Sequence, residues 1–166
     1  LALGAKFLVQ CCVGALYGVL AFAASIGAGA LALGLAGLET GLDSSAVWLL
    51  VLRGVLAMAL WSAIGVGLGA LVRNQVAAIV IVLAFTQFLE PILRLASLFN
   101  SVTQAIGQFL PGAASDGLVG ASFLSVGGMG GGGAILDWWQ GGLVLLAYAA
   151  VATVGGYLTT WRKDVT

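Results

Sequence analysis

Residues 46–95 decide the fold, and they read AVWLLVLRGVLAMALWSAIGVGLGALVRNQVAAIVIVLAFTQFLEPILRL. This stretch is apolar almost throughout, and its only fully polar break is Arg73-Asn74-Gln75. Its 50 residues are too many for one membrane crossing and suit two, because a hydrocarbon core of about 30 Å takes about 20 helical residues. Three polar residues suffice for a tight turn at a membrane surface. The stretch therefore predicts a hairpin of two transmembrane helices.

The composition of the whole chain agrees with a membrane protein and excludes several kinds of chemistry. The sequence is 61% hydrophobic and 7% charged, with a mean hydropathy of +1.15, which is far from the composition of a soluble domain. Its net charge is zero, so we expect no nucleic-acid partner. It contains no histidine, which excludes His-based acid–base catalysis, His–metal sites and Ser-His-Asp hydrolysis. We expect no catalytic, cofactor-binding or metal site in this chain.

The apolar segments predict an all-α integral membrane protein that forms a single transmembrane domain over residues 1–166. Four spans are expected, at about residues 5–35, 46–72, 75–95 and 138–161. The first span is longer than a bilayer requires, so it should tilt or project beyond the membrane. Membrane lipid is the expected surrounding of all four spans.

Charge asymmetry predicts the orientation of these spans. If the four spans alternate, the cations near their ends fall on one side and the acids of the loops on the other. The cations are Lys6, Arg73, Arg162 and Lys163, and the acids are Glu39, Asp43, Asp116 and Asp137. Since cytoplasmic loops carry the excess of Lys and Arg, we expect a multi-pass protein of the cytoplasmic membrane with both ends in the cytoplasm.

The residues between the third and fourth spans predict an outer helical hairpin at about 97–124. Leu98, Val102, Ile106 and Phe109 recur at helical spacing and form an apolar stripe. Pro111-Gly112 interrupts that helix and would act as its hinge. Neither half is long enough to span a bilayer, so we expect the hairpin to lie at the outer leaflet or to re-enter it as a lid. The run 127–133, glycine except for Met129, predicts a flexible linker.

Glycine motifs point to helix packing and not to nucleotide binding. Residues 128–133 match G-x-G-x-x-G, but they follow no strand and open no βαβ unit, and no Walker A motif occurs. Gly14 with Gly18, and Gly65 with Gly69, have the GxxxG spacing that lets transmembrane helices approach closely. With 26 glycines in the chain, each pair is as consistent with chance as with a packing seam.

Three ionisable residues fall inside or near the ends of spans: Arg53, Glu90 and Arg94. Folding the hairpin at residues 73 and 74 brings Arg53 level with Arg94, and Glu90 lies one helical turn deeper. Two interpretations remain open, namely an ion-pair cluster that stabilises the hairpin and a polar lining of a substrate path or outer gate. Pro91 should break the helix after Glu90 and free backbone carbonyls that need partners.

Four segments follow one another along the chain: Gly67-Leu68-Gly69-Ala70-Leu71-Val72-Arg73-Asn74-Gln75, Glu90-Pro91, Phe109-Leu110-Pro111-Gly112-Ala113 and Trp161-Arg162-Lys163-Asp164-Val165-Thr166. In this order they resemble the type-2 permeases of ATP-binding cassette (ABC) transporters, and in particular bacterial drug and multidrug exporters. The resemblance implies an efflux permease that works as two copies or with a paralogue. It also implies a partner ATPase subunit that holds ATP and Mg, with a re-entrant helical pair between the last two spans.

The resemblance covers the C-terminal two thirds of such a permease, so the four spans here would be its third to sixth. We therefore expect the chain to be part of a longer protein whose first two spans and main coupling helix precede it. The turn at Arg73 and Asn74 would then be the contact with the ATPase that this chain supplies. The competing hypothesis is a self-contained four-span scaffold or assembly protein without transport. A membrane-embedded hydrolase is the weakest alternative, because no catalytic constellation assembles.

Overall fold

A computed structural model describes residues 2–72, 74–97, 99–121 and 136–158. The predicted linker at 127–133, the predicted lid residue Leu98, and the basic residues Arg73, Arg162 and Lys163 lie outside the described residues. The described part of the chain is all-helical. Its helices are α1 Ala2–Leu35, α2 Ser45–Leu71, α3 Gln75–Ala84, a π-helical segment Phe85–Leu89, α4 Glu90–Ser97, α5 Ser101–Gly107, α6 Pro111–Val119 and α7 Trp138–Gly156.

The prediction of an all-helical fold with four helices suited to cross a membrane is confirmed. Four helices are long and apolar enough to cross a membrane: Gly4–Leu35, Ser45–Leu71, Gln75–Ser97 and Trp138–Gly156. The helix Gln75–Ser97, called the third span below, consists of α3, the π-helical segment and α4. The predicted boundaries lie within about two residues of these bounds, except at the C-terminal side of α7, where residues 159–166 are outside the described part.

Helices α1 and α2 form an antiparallel pair whose contact depends on small residues. A Cβ atom added to Gly18 would lie 3.2 Å from Cβ of Met58, and one added to Gly54 would overlap the ring of Phe22. Gly14 lies closer still to α2, where a Cβ would lie 2.9 Å from the carbonyl oxygen of Met58. The first predicted GxxxG pair therefore lies at a helix–helix seam, because a side chain at either position would separate the two backbones.

Helices α2 and α7 run parallel, and the glycine at their contact is Gly67. A Cβ added there would lie 2.7 Å from both Cβ of Ala152 and the backbone nitrogen of Thr153. Gly65 and Gly69, the second predicted pair, have no atom within 4 Å of such a Cβ. They lie on the opposite side of α2, and their spacing does not mark a seam between described helices. The core between α2, α6 and α7 consists of Ala57, Ala63, Ile64, Ala114, Leu118, Leu136, Leu145 and Ala149.

The expected break at Pro91 does not occur, because the helix widens instead of ending. Residues Phe85–Leu89 form a π-helical turn, and the backbone N–H of Glu90 donates to the carbonyl oxygen of Phe85 five residues earlier. Proline has no N–H and its ring crowds the preceding turn. One extra residue in that turn relieves the crowding, and the helix continues to Ser97.

The third span packs less than the others. Only 6% of the most apolar stretch of this helix is buried, against 22% for the second span and 28% for the fourth. Its N-terminal half stands away from α2, and an open cleft of about 670 Å³ lies between them. Gly65, Gly69, Val82 and Leu83 are among the residues that line this α2–α3 cleft.

The predicted outer hairpin corresponds to two short helices that pack differently. Helix α5 packs on α4, whereas α6 packs on α7 and α2. Pro111 is buried and begins α6, so the predicted hinge is the N-terminus of a helix. The predicted stripe residues Val102, Ile106 and Phe109 are 63%, 65% and 48% exposed, so the described helices do not cover that face.

Helix α6 lies antiparallel to the first half of α7. A Cβ added to Gly117 near its end would lie 2.8 Å from the carbonyl oxygen of Leu136, just before α7. At its other end, the hydroxyl of Tyr148 donates to the carbonyl oxygen of Phe109 at 3.2 Å. Because Tyr148 follows Trp138 by ten residues, or about 15 Å of helix, the N-terminus of α6 lies beside the middle of α7.

Candidate charged cluster beside the cleft

The candidate site is a cluster of three charged side chains from α4 and α6. The Nε and Nη2 atoms of Arg94 each lie 3.1 Å from Oε1 of Glu90, one helical turn earlier. Its Nη1 atom donates to Oδ2 of Asp116 on α6 at 2.7 Å. The Glu90, Arg94 and Asp116 side chains are 5%, 18% and 27% exposed. One guanidinium therefore bridges two carboxylates and joins the third span to α6.

Glu90 has a second role, because its carboxylate caps the N-terminus of α6. The backbone N–H of Ala113 donates to Oε1 of Glu90 at 3.0 Å. The first N–H groups of a helix have no partner within the helix and carry the positive end of its dipole, so a carboxylate is favourable there. Gly112 makes this approach possible, since a Cβ at that position would overlap the carboxylate. The Pro111-Gly112 pair thus begins a helix and admits the acid that caps it.

Sequence reasoning placed Glu90 and Arg94 in the cluster and missed Asp116, which it assigned only to the outer acids. A signal was available, because Asp116 is the only charged residue between Arg94 and Asp137. A lone acid in an apolar segment of that length needs a cation or a helix terminus to offset its desolvation. The nearest cation in the sequence is Arg94.

Arg53 lies apart from this cluster. Its guanidinium carbon is 5.3 Å from the centroid of the Trp138 ring at the start of α7. That distance is within the range of a cation–π contact. A Cβ added to Gly120 at the end of α6 would lie 3.5 Å from Nη1 of Arg53. Of the three residues predicted to cluster, the structure joins Glu90 to Arg94 and places Arg53 against the fourth span.

The charged cluster lines a cavity of about 450 Å³ that adjoins the α2–α3 cleft. Trp61 on α2 lines both spaces, and its indole N–H donates to the hydroxyl of Ser115 on α6 at 3.2 Å. Thr86 in the π-helical turn also lines the smaller cavity, and its hydroxyl donates to the Val82 carbonyl oxygen at 2.8 Å. An apolar cleft thus leads along the third span to the charged cluster.

The turn between α2 and α3, predicted as the cytoplasmic contact, is held by Asn74. Its Oδ1 accepts from the backbone N–H groups of Val76 and Ala77 at 3.0 and 3.3 Å. This is the geometry of a helix N-cap, which explains why an amide ends the turn. Arg73, the other residue predicted here, lies outside the described residues.

The charged cluster and the Asn74 turn hold and orient helices. Every buried side-chain nitrogen or oxygen in the described part of the chain has a hydrogen-bond partner. In the same residues, no group of three or more His, Cys, Asp or Glu side chains could hold a metal ion. Comparison of the chain with protein-family models, with curated proteins and with solved structures finds no match.

Proposed function

We propose that this chain is the transmembrane permease subunit of an ABC exporter, which moves a substrate across the cytoplasmic membrane while a partner subunit hydrolyses ATP. The proposal draws on the ordered motifs that resemble type-2 permeases. The observation that carries it is that the third span is attached near both of its ends and separated from α2 between them. This helix is joined to α6 by Glu90 and Arg94 near one end and to α2 by the Asn74 turn at the other, and a cleft separates it from α2 between those points.

The geometry supports a mechanism in which the third span moves against α2. The cleft surfaces are mostly apolar, so a change in their separation breaks no hydrogen bonds between them. The charged cluster resists movement at the other end, because separating Arg94 from Glu90 and Asp116 would leave charges unpaired at low dielectric. Closure of the ATPase on its nucleotide would be transmitted through the turn at Arg73 and Asn74. The cleft would then alternate between access to one side and to the other.

The proposal includes an orientation with both chain ends in the cytoplasm and an outer lid that re-enters the membrane. Support for the orientation is the placement of the cations and acids in the sequence. Support for re-entry is the position of α6, whose N-terminus lies about 15 Å along α7 from Trp138. Re-entrant backbone is tolerated at such a depth only where protein covers it, and Ala114 and Leu118 of α6 are 0% and 1% exposed.

Co-purification from native membranes tests the proposal. We expect the tagged full-length protein to bring a P-loop ATPase with it, and export from membrane vesicles to require ATP. Arg73→Glu should release the ATPase, whereas Glu39→Arg, a charge reversal in the opposite loop, should not. The absence of any P-loop ATPase together with transport that ignores ATP would overturn the proposal.

A non-transporting four-span scaffold is the alternative function. The observation that favours it is the complete pairing of buried polar side chains in the described residues, which suits a purely structural role. The genomic neighbourhood discriminates between the two. Two further spans encoded upstream of Leu1, with an adjacent gene for a cassette ATPase, support the permease, and their absence supports the scaffold.

A further inference from the structure

The cavity beside the charged cluster and the α2–α3 cleft form one elongated space. The cavity has a volume of about 450 Å³ and the cleft about 670 Å³, and Trp61 lines both. Sites that hold small molecules have volumes of about 300–1,000 Å³. Along the third span, the lining residues run from Gln75 to Leu95, which is about 30 Å of helix. The space is therefore large enough for a small molecule and long enough for an extended one.

The two parts of this space differ in chemistry. The cleft is lined mostly by aliphatic side chains and by Gly65 and Gly69, whereas the cavity is lined by the charged side chains of Glu90, Arg94 and Asp116. An apolar group gains by leaving water for the cleft, and a charged group finds opposite charges only in the cavity. A molecule that fills both parts must therefore be an amphiphile, with an apolar body and a polar head group.

The charges that line the cavity determine which sign the head group should carry. Among the described lining residues there are two carboxylates, Glu90 and Asp116, and one guanidinium, Arg94, so one negative charge is in excess. The dipole of α6 offsets part of the charge of Glu90, which caps its N-terminus. Asp116 lies towards the other end of that helix, where Arg53 contacts the region of Gly120 but does not line the cavity. Excess charge in a mostly apolar space is unfavourable, and a ligand with one positive charge would offset it.

Asp116 and Trp61 supply the contacts that such a head group requires. Asp116 is the most exposed of the three charged side chains, at 27%, and Arg94 uses only one of the roughly four acceptor positions of its carboxylate. The indole N–H of Trp61 donates to the hydroxyl of Ser115 at 3.2 Å, which orients the ring beside the residue that precedes Asp116. Tryptophan attracts cations more strongly than the other aromatic side chains. Since Trp61 also lines the cleft, a ligand bound at its ring can extend its body there.

We propose that this space binds an amphiphile with a single positive charge, whose head group lies between Asp116 and Trp61 and whose apolar body lies in the α2–α3 cleft. The inference rests on the proposed function for the meaning of the ligand, since an exporter would carry it across the membrane. It deepens that function by naming the chemical class of the substrate. The charged cluster then has two roles, because it joins α4 to α6 and also lines the substrate path.

The affinities of three decyl compounds test the sign of the charge. Decyltrimethylammonium, decyl sulfate and decyl maltoside carry the same apolar chain with a positive, a negative and an uncharged head group. Each is titrated, below its micellar concentration, into the full-length protein in nanodiscs of zwitterionic lipid, and binding to empty nanodiscs is subtracted. We expect decyltrimethylammonium to bind about tenfold more tightly than the other two. Equal affinities, or tighter binding of either other compound, would overturn the proposal.

Asp116→Asn tests the position of the head group. The substitution removes the excess charge and keeps an oxygen for Arg94, so the affinity for decyltrimethylammonium should fall about tenfold. Asp116→Glu keeps the charge and should retain most of the affinity. Asp43→Asn is the matched control, because Asp43 lies in the loop before α2 and does not line the cavity. Thermal unfolding confirms that each variant is folded before titration. Unchanged affinity of Asp116→Asn for decyltrimethylammonium would overturn the proposal.

Gly65→Leu tests the position of the apolar body. A Cβ added to Gly65 meets no atom within 4 Å, so a leucine side chain can occupy the cleft without displacing a helix, and the affinity for decyltrimethylammonium should fall about tenfold. Gly27→Leu is the matched control. A Cβ added to Gly27 on α1 also meets no atom within 4 Å, and Gly27 lines neither part of the space. Equal affinity of Gly65→Leu and the unmodified protein would overturn the proposal.

The two proposals fail separately. Charge-selective binding that depends on Asp116, in a protein that brings no ATPase from native membranes, would remove the permease function and leave the binding site. An ATPase that co-purifies while the three decyl compounds bind equally would remove the binding site and leave the permease function.

Discussion

Arg94→Gln should destabilise the protein more than any other single change in the charged cluster. The substitution removes the guanidinium that bridges Glu90 and Asp116 at 3.1 and 2.7 Å. Removing one partner of a buried ion pair costs about 3–5 kcal/mol, because the remaining charge is left uncompensated. Glu90 retains the N–H of Ala113, which favours the lower end, about 3 kcal/mol. At about 2–4 °C per kcal/mol for a chain of this size, the melting temperature should fall by about 6–12 °C.

Substitutions of the other two members of the cluster should destabilise the protein less than Arg94→Gln does. Glu90→Gln leaves Arg94 paired with Asp116 and keeps an oxygen for the N–H of Ala113, so about 2 kcal/mol is expected. Asp116→Asn should cost about 1 kcal/mol, because this side chain is the most exposed of the three at 27%. Arg53→Gln is the matched control for Arg94→Gln. The stability losses from Arg53→Gln and Glu90→Gln should be additive in the double mutant, since Arg53 lies against Trp138 and not against Glu90.

Thermal unfolding of the purified variants in one detergent at fixed concentration measures these losses. A double-mutant cycle of Arg94→Gln with Glu90→Gln should give a coupling of about 1–3 kcal/mol. Two results would refute the reasoning: a smaller loss for Arg94→Gln than for Asp116→Asn, or a cycle that is additive within about 0.5 kcal/mol. Correct membrane insertion of every variant is checked first, so that a loss of stability is not confused with a loss of insertion.

Two further predictions concern helix packing and the outer lid. Gly67→Ala should cost about 1–3 kcal/mol, because its Cβ would lie 2.7 Å from the backbone nitrogen of Thr153, whereas Gly65→Ala meets no atom within 4 Å and should be neutral by the same thermal assay. In a background without native cysteines, Ser101→Cys should react quickly with a membrane-impermeant maleimide applied to the outside of cells and Ile106→Cys slowly. Both positions are exposed in the structure, so only the membrane would separate them, and equally fast labelling would show that α5 is a solvated surface helix.

Much of the fold was predictable from local patterns in the sequence. Long apolar runs predicted the four spans, because the bilayer requires about 20 apolar residues for each crossing wherever the helices later pack. Pro111 and the spacing of Val102 and Ile106 predicted two short helices between the third and fourth spans. The error at Pro91 was also local in origin. A proline removes one hydrogen bond in any helix, but whether the helix ends or widens depends on what holds the residues beyond it, and here Arg94 and Glu90 anchor them to α6.

The candidate site was only half predictable. Glu90 and Arg94 are one helical turn apart, so their pairing follows from helix geometry alone. Asp116 is 22 residues from Arg94, and no local rule brings it there. The position of α6 depends on Gly117 and Gly141, whose missing side chains let α6 and α7 approach.

Local sequence patterns predicted that the chain is helical, which four segments are long and apolar enough to cross a membrane, and which charged residues lie inside them. These properties follow from hydropathy and helix period, which act over one or a few turns. The tertiary packing was needed to show that Gly67 and not Gly65 lies at a helix–helix seam, that Arg53 meets Trp138, and that Glu90 caps α6. Contacts of this kind depend on the rotation and tilt of each helix against its neighbours, and in a membrane those are set by close packing of small residues along several helices at once.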